Sequence, residues 1–108
     1  MVLLTTQNGV EFYYQISHCT NGDEVLLKII NTNPTSKSIT CIQQVSSANQ
    51  VWKSINPQTF QVGAQSTIQY TQTCSANSSA LALVGNQLFP NEPKTQLLAF
   101  ELFNITVE

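Results

Sequence analysis

Arginine is absent from this chain of 108 residues, and charged side chains of every kind make up only 9% of it. The four lysines, Lys28, Lys37, Lys53 and Lys94, lie far apart and form no stripe or patch. Nucleic-acid binding, which neutralises phosphates with clustered Lys and Arg, is thereby excluded. Long apolar runs are missing as well. No stretch approaches the roughly 18 to 20 residues that span a bilayer, and Met1-Val2-Leu3-Leu4 is shorter than the apolar region of a signal peptide. Export would therefore need a leader outside this chain. Gly-rich phosphate loops, a G-x-S-x-G elbow, an H-E-x-x-H pair and a D-x-D-x-D-G calcium loop are all lacking, so neither an enzyme nor a cofactor is expected.

What replaces charge is amide and hydroxyl. Asn, Gln, Ser and Thr supply 44 of the 108 positions, beside an apolar fraction of 42%. That apolar fraction is ample for the core of one domain over residues 1–108, whereas disorder needs low hydrophobicity with high net charge.

Cysteine is scarce and odd in number. There is no C-x-x-C pair and no Cys/His spacing of a zinc site among Cys19, Cys41 and Cys74. Cys19 and Cys74 each end a strand-like run and precede turn-rich text, whereas Cys41 lies inside a strand pattern. The economical reading pairs Cys19 with Cys74 and leaves Cys41 reduced in the core; the other is three free thiols.

The dominant pattern is short segments of period 2 separated by Asn, Gly, Pro and Ser, with no helical period held for three turns. Val10 to Ser17 alternates, placing Val10, Phe12, Tyr14 and Ile16 on one face. Glu24 to Ile30 is apolar at nearly every position, as in a strand covered on both sides or central to its sheet. Ser38 to Val45, Val51 to Ile55, Thr59 to Val62, Ser66 to Thr73, Leu81 to Val84 and Leu97 to Val107 follow, with Ile68, Tyr70 and Cys74 in the inward phase. About seven to eight antiparallel strands at this spacing predict an all-β, immunoglobulin-like two-sheet sandwich.

The last strand changes phase between Leu102 and Phe103. A β-bulge there would keep both halves, Leu98, Phe100 and Leu102 and then Phe103, Ile105 and Val107, turned inward; the alternative is a strand buried on both faces by a partner chain. If the Val10, Glu24 and Ser66 strands lie side by side, Cys19 and Cys74 reach the same end. Strands one neighbour apart stand roughly 9 to 10 Å from each other, so the loop ends must converge over the middle strand for a disulfide to form.

Asn31-Thr32-Asn33-Pro34-Thr35-Ser36-Lys37-Ser38-Ile39-Thr40, with Phe60-Gln61-Val62-Gly63-Ala64-Gln65-Ser66, resembles the loop and pre-strand signatures of bacterial extracellular immunoglobulin-like domains. The whole run, closing on Phe100-Glu101-Leu102-Phe103-Asn104-Ile105, is similar to small secreted proteins of bacteria. The resemblance implies a sandwich and an extracytoplasmic location, and it carries no activity or cofactor. Antibody-type domains fit poorly, because 33 residues from Cys41 to Cys74 are too few for their inter-sheet bridge.

Candidate sites are few. His18 adjoins Cys19, with Asp23 and Glu24 across the turn. Adjacent strand residues point to opposite faces, which separates a thiol from its base and disfavours both catalysis and a metal site there. Asp23 and Glu24 read as a solvated hairpin turn. Tyr13 and Trp52 are the aromatics expected to face outward, and Gln15, Gln43, Gln44 and Gln50 would hydrogen-bond a sugar stacked on them. The alternative is that Trp52 caps the open end of the sandwich. Asn77-Ser78-Ser79 and Asn104-Ile105-Thr106 match the N-glycosylation pattern, at the level chance predicts in such a sequence. The expectation is thus a non-catalytic extracytoplasmic binding or structural module of a bacterium, monomeric or weakly dimeric. Its partner would be a protein, or a glycan held by Tyr13, Trp52, Gln43 and Gln44; assembly through Leu97 to Val107, guarded only by Glu101, is the remaining alternative.

Overall fold

Asn8 and Gly9 both take positive φ, 50° and 76°, the combination a two-residue type I′ turn requires. They join β1 (Val2–Gln7) to β2 (Val10–Cys19), with Gln7 opposite Val10. The structure is a computed structural model that describes residues 1–20, 22–49, 51–70, 74, 81–92 and 94–108. β1 was not expected from periodicity. A register shift between Leu3 and Thr5 breaks its alternation, and only the Asn-Gly pair announces the hairpin.

Among the described residues nine strands form two antiparallel sheets packed together, the two-sheet sandwich that the pattern predicts. In the first sheet β2 pairs along its whole length with β3 (Gly22–Asn31), whose other side holds β7 (Thr67–Gln69) and then β8 (Ala82–Val84). In the second, β4 (Lys37–Ser47) carries β9 (Leu97–Val107) on one side and both β5 (Trp52–Ser54) and β6 (Gln58–Val62) on the other. Two edge positions are thus each filled by two short segments, so nine strands occupy seven places. Of the expected immunoglobulin-like sandwich, the structure shows the two-sheet architecture. Constant-type domains send their second and third strands to different sheets, whereas β1, β2 and β3 here form a continuous meander.

Alternation places the core. Val10 and Phe12 of β2, Val25, Leu27 and Ile29 of β3, Ile39 and Val45 of β4, and Phe60, Val62 and Phe100 are buried together, and Tyr14 packs on Phe100 with ring centroids 5.6 Å apart. Each large apolar side chain contributes roughly 1.5 to 3 kcal/mol by leaving water. Cys41 sits in this core as a free thiol, and burial pushes it up to about 11.

The phase change of β9 is resolved by a bulge, placed slightly later than the sequence suggests. Ile42 faces Phe103 and Thr40 faces Thr106, so Asn104 and Ile105 together oppose Cys41, with Asn104 at φ 51°. Leu102, Ile105 and Val107 pack on the core, whereas Phe103 stays outside at 40% exposure, which corrects its inward assignment, because the bulge follows Phe103 instead of preceding it. A second shift leaves Leu98 unpaired and outward, which corrects its inward assignment. Bulges in β1 and β9, and short segments on the other two edges, disrupt the regular pairing templates that charged residues would otherwise guard.

Two long-range ties fix the connections. Asn31, fully buried, donates its amide to the carbonyls of Thr35, Val62 and Gly63 and accepts from the backbone N–H and side-chain amide of Asn33. One side chain therefore holds together the segments 31–40 and 60–66. The second tie is the Cys19–Cys74 disulfide, with Cα atoms 5.4 Å apart. Cys74 does not continue β7 in the inward phase. It lies over the outer face of β3, where its N–H donates to the Glu24 carboxylate at 2.6 Å. Residues 71–73 and the Asn77-Ser78-Ser79 site lie outside the described residues.

Candidate functional site

The four residues expected to hold a ligand do not converge. Tyr13 lies on the outer face of the first sheet. The Lys28 ammonium stands 5.3 Å from its ring centre, and the Tyr13 hydroxyl donates to Glu11 at 2.8 Å, a bond that favours the protonated phenol and raises the Tyr13 pKa. Gln43 is fully buried, because it shares the inward phase of Ile39, Cys41 and Val45; this corrects its assignment to the surface. Gln44 takes the outer face of the second sheet between Ser54 and Glu101. Trp52 is 46% exposed on the same face, opposite Ser46 and two register positions from the Gln44 pair. It therefore does not serve as a buried cap. Gln15 is exposed on the first sheet, bonded to Ser17, and Gln50 lies outside the described residues.

Trp52 borders a groove of about 430 Å³ between β5 and the segment after β8. That segment starts with a single helical turn, α1 (Gly85–Leu88), and then runs toward β9. Val51 and Trp52 face Leu88, Phe89 and Pro90 across the groove, and Lys53 donates from Nζ to the Leu88 carbonyl at 2.9 Å. Asn91 and Glu92 form a shared wall with a second groove of about 420 Å³, lined by Ala48, Asn49, Lys94, Thr95 and Gln96. Asn49 donates to the Glu92 carboxylate at 3.1 Å, tying the β4–β5 turn to this wall. Apart from Val51, Trp52 and Lys53, which belong to an expected strand, these residues carry no sequence signal of a site. Pro90-Asn91-Glu92 and Ala48-Asn49 mark loops, and loops on a rigid scaffold are where binding groups concentrate.

Asp23 and Glu24 are not a solvated turn. They are 5% and 3% exposed, and as neighbours in a strand they serve opposite faces. Asp23 holds the groove wall: its Oδ2 accepts the Leu97 N–H at 3.0 Å, and its own N–H donates to the Thr95 carbonyl at 2.7 Å. Thr95 in turn donates from its hydroxyl to the Glu92 carbonyl, and from its N–H to Asn86. A Cβ added at Gly85 would stand 2.8 Å from the Asp23 carbonyl, so glycine allows this close approach. His18, with an exposed side chain, meets Asp23 Oδ1 at 3.0 Å. Glu24 instead faces outward beneath the disulfide.

Among the described residues, the one group of three or more potential metal ligands is Cys19, Glu24 and Cys74, and both sulfurs are bonded to each other. Cys19 is therefore no thiol nucleophile. No protein-family model, curated protein or solved structure matches this chain. Among the described residues no helix is long and apolar enough to cross a membrane.

Proposed function

We propose that this protein is a non-catalytic recognition module of an extracytoplasmic bacterial compartment, and that it contacts its partner at the Trp52 end of the sandwich. One observation carries the reading: the sole tryptophan, nearly half exposed beside exposed Val51, borders a groove. Large aromatics are highly buried on average, and one set at a groove is a common anchor of recognition. The disulfide is compatible with an oxidising compartment. The bacterial assignment rests on the resemblance of the Asn31 and Phe60 segments.

The test is cosedimentation with a bacterial envelope fraction, combined with oxidation of Trp52 by N-bromosuccinimide. The envelope is expected to pull down the protein and protect the indole, and Trp52→Ala to stay in the supernatant. Equal oxidation with and without envelope, or pull-down unaffected by Trp52→Ala, overturns the reading.

A second reading, assembly through β9, is favoured by Leu98 and Phe103, 60% and 40% exposed on a strand whose only charge is Glu101. Its bulges and the Gln7 amide, which donates to the Ile105 carbonyl at 2.8 Å, make β9 a poorer template for an added strand. Light scattering decides: a concentration-dependent dimer lost in Leu98→Lys supports it, and a monomer at all concentrations removes it.

A further inference from the structure

We propose that the two grooves on either side of Asn91 and Glu92 form one site for a neutral oligosaccharide that is longer than a disaccharide, with a pyranose ring stacked on Trp52. The inference rests on reading this end as the contact surface, and adds the ligand's chemistry and reach. The grooves share a wall, and each falls within the roughly 300 to 1,000 Å³ range of small-ligand sites. A ligand engaging both must extend past one ring.

Their linings differ in a way that matches a sugar chain. One side offers Trp52 with Val51 and Pro90, apolar surface suited to the C–H face of a pyranose. The other offers Asn49, Asn91 and Gln96, amides that both donate to and accept from hydroxyls. Charge points to a neutral ligand. The Lys53 ammonium is engaged by the Leu88 carbonyl and the Glu92 carboxylate by Asn49; among the described residues Lys94 is the one further charge in the two linings, and a single lysine makes no converging pair of cations for an anionic group. The Asp23 and Thr95 bonds hold the wall in place before binding, which lowers the ordering cost of weak, hydroxyl-by-hydroxyl recognition.

Calorimetric titration with neutral hexasaccharides and disaccharides of glucose, xylose and N-acetylglucosamine tests this. At least one hexasaccharide series is expected to bind, with its disaccharide about tenfold weaker or worse. Trp52→Ala should abolish binding and Trp52→Phe partly restore it. Gln96→Ala, in the groove away from Trp52, should weaken the hexasaccharide and leave the disaccharide nearly unchanged. The proposal is overturned if no neutral hexasaccharide binds, if disaccharide and hexasaccharide bind equally, if binding survives Trp52→Ala, or if only a uronic-acid oligomer binds. Envelope cosedimentation that depends on Trp52 but is abolished by protease treatment of the envelope would remove the glycan and keep the recognition module.

Discussion

The outer faces of the two sheets start from the same charge-poor composition and end differently. On the first sheet Leu26 and Ala82 point outward yet are 2% and 0% exposed, and Glu24 beside them is buried where Cys74 is bonded to Cys19. On the second sheet Trp52, Phe103 and Leu98 remain open to solvent. Over β3 and β8 the first face is closed within the chain and fastened covalently, so Leu26 and Ala82 serve the fold, while Leu3 at its β1 edge stays 53% exposed. The other is left open beside a groove, so its apolar residues are free to serve binding. Asp23 and Glu24 sit between the two solutions, each acid holding the connection on its own side of β3.

The largest expected effect comes from unfastening the closed face. Replacing Cys19 and Cys74 with serine frees a loop of 55 residues' separation, which should cost about 4 kcal/mol in urea unfolding by chain entropy. A loss below about 1 kcal/mol would show that packing alone keeps that face shut. Asp23→Ala comes next. It strands the Leu97 N–H and releases the groove wall, and should cost about 2 to 3 kcal/mol. Glu24→Ala should cost about 1 to 2 kcal/mol by stranding the Cys74 N–H, with the groove's ligand affinity unchanged.

The core between the faces is tested by pH. Because burial raises the folded-state Cys41 thiol to about 11 from an ordinary 9.0, its contribution is complete below about pH 9 and declines as pH rises toward 11. Unfolding midpoints of the wild type should therefore fall over that window relative to Cys41→Ala. Parallel curves would mean that the thiol reaches water. The smallest effect belongs to the open face: Trp52→Ala should change stability by no more than about 0.5 kcal/mol.

Much of this fold is written in period 2. The apolar run from Glu24 to Ile30 announces the central strand, and Leu97 to Val107 has the bounds of β9. What escaped is local breakage of alternation: the Leu4 bulge hid β1, and Leu98 was read inward because an unpaired residue shifts the phase. The disulfide is legible, since each of the two cysteines closes an alternating run that the pattern brings to one end of a sheet. The burial of Asp23 and Glu24 was not, because Asn-Gly-Asp-Glu reads as a turn and only distant residues, Leu97, Thr95 and Cys74, take their hydrogen bonds. The same holds for the groove. Trp52 stood out as a residue type, but its neighbours Asn91 and Glu92 come from a loop 39 positions away from it in sequence, a proximity no local pattern encodes.

The contrast between a face closed for folding and an end left open for binding is tested most directly by one variant measured twice. Trp52→Ala should unfold in urea at the wild-type midpoint and yet fail to cosediment with the envelope fraction. A midpoint lowered by the equivalent of about 2 kcal/mol or more, or cosedimentation at the wild-type level, would contradict the account.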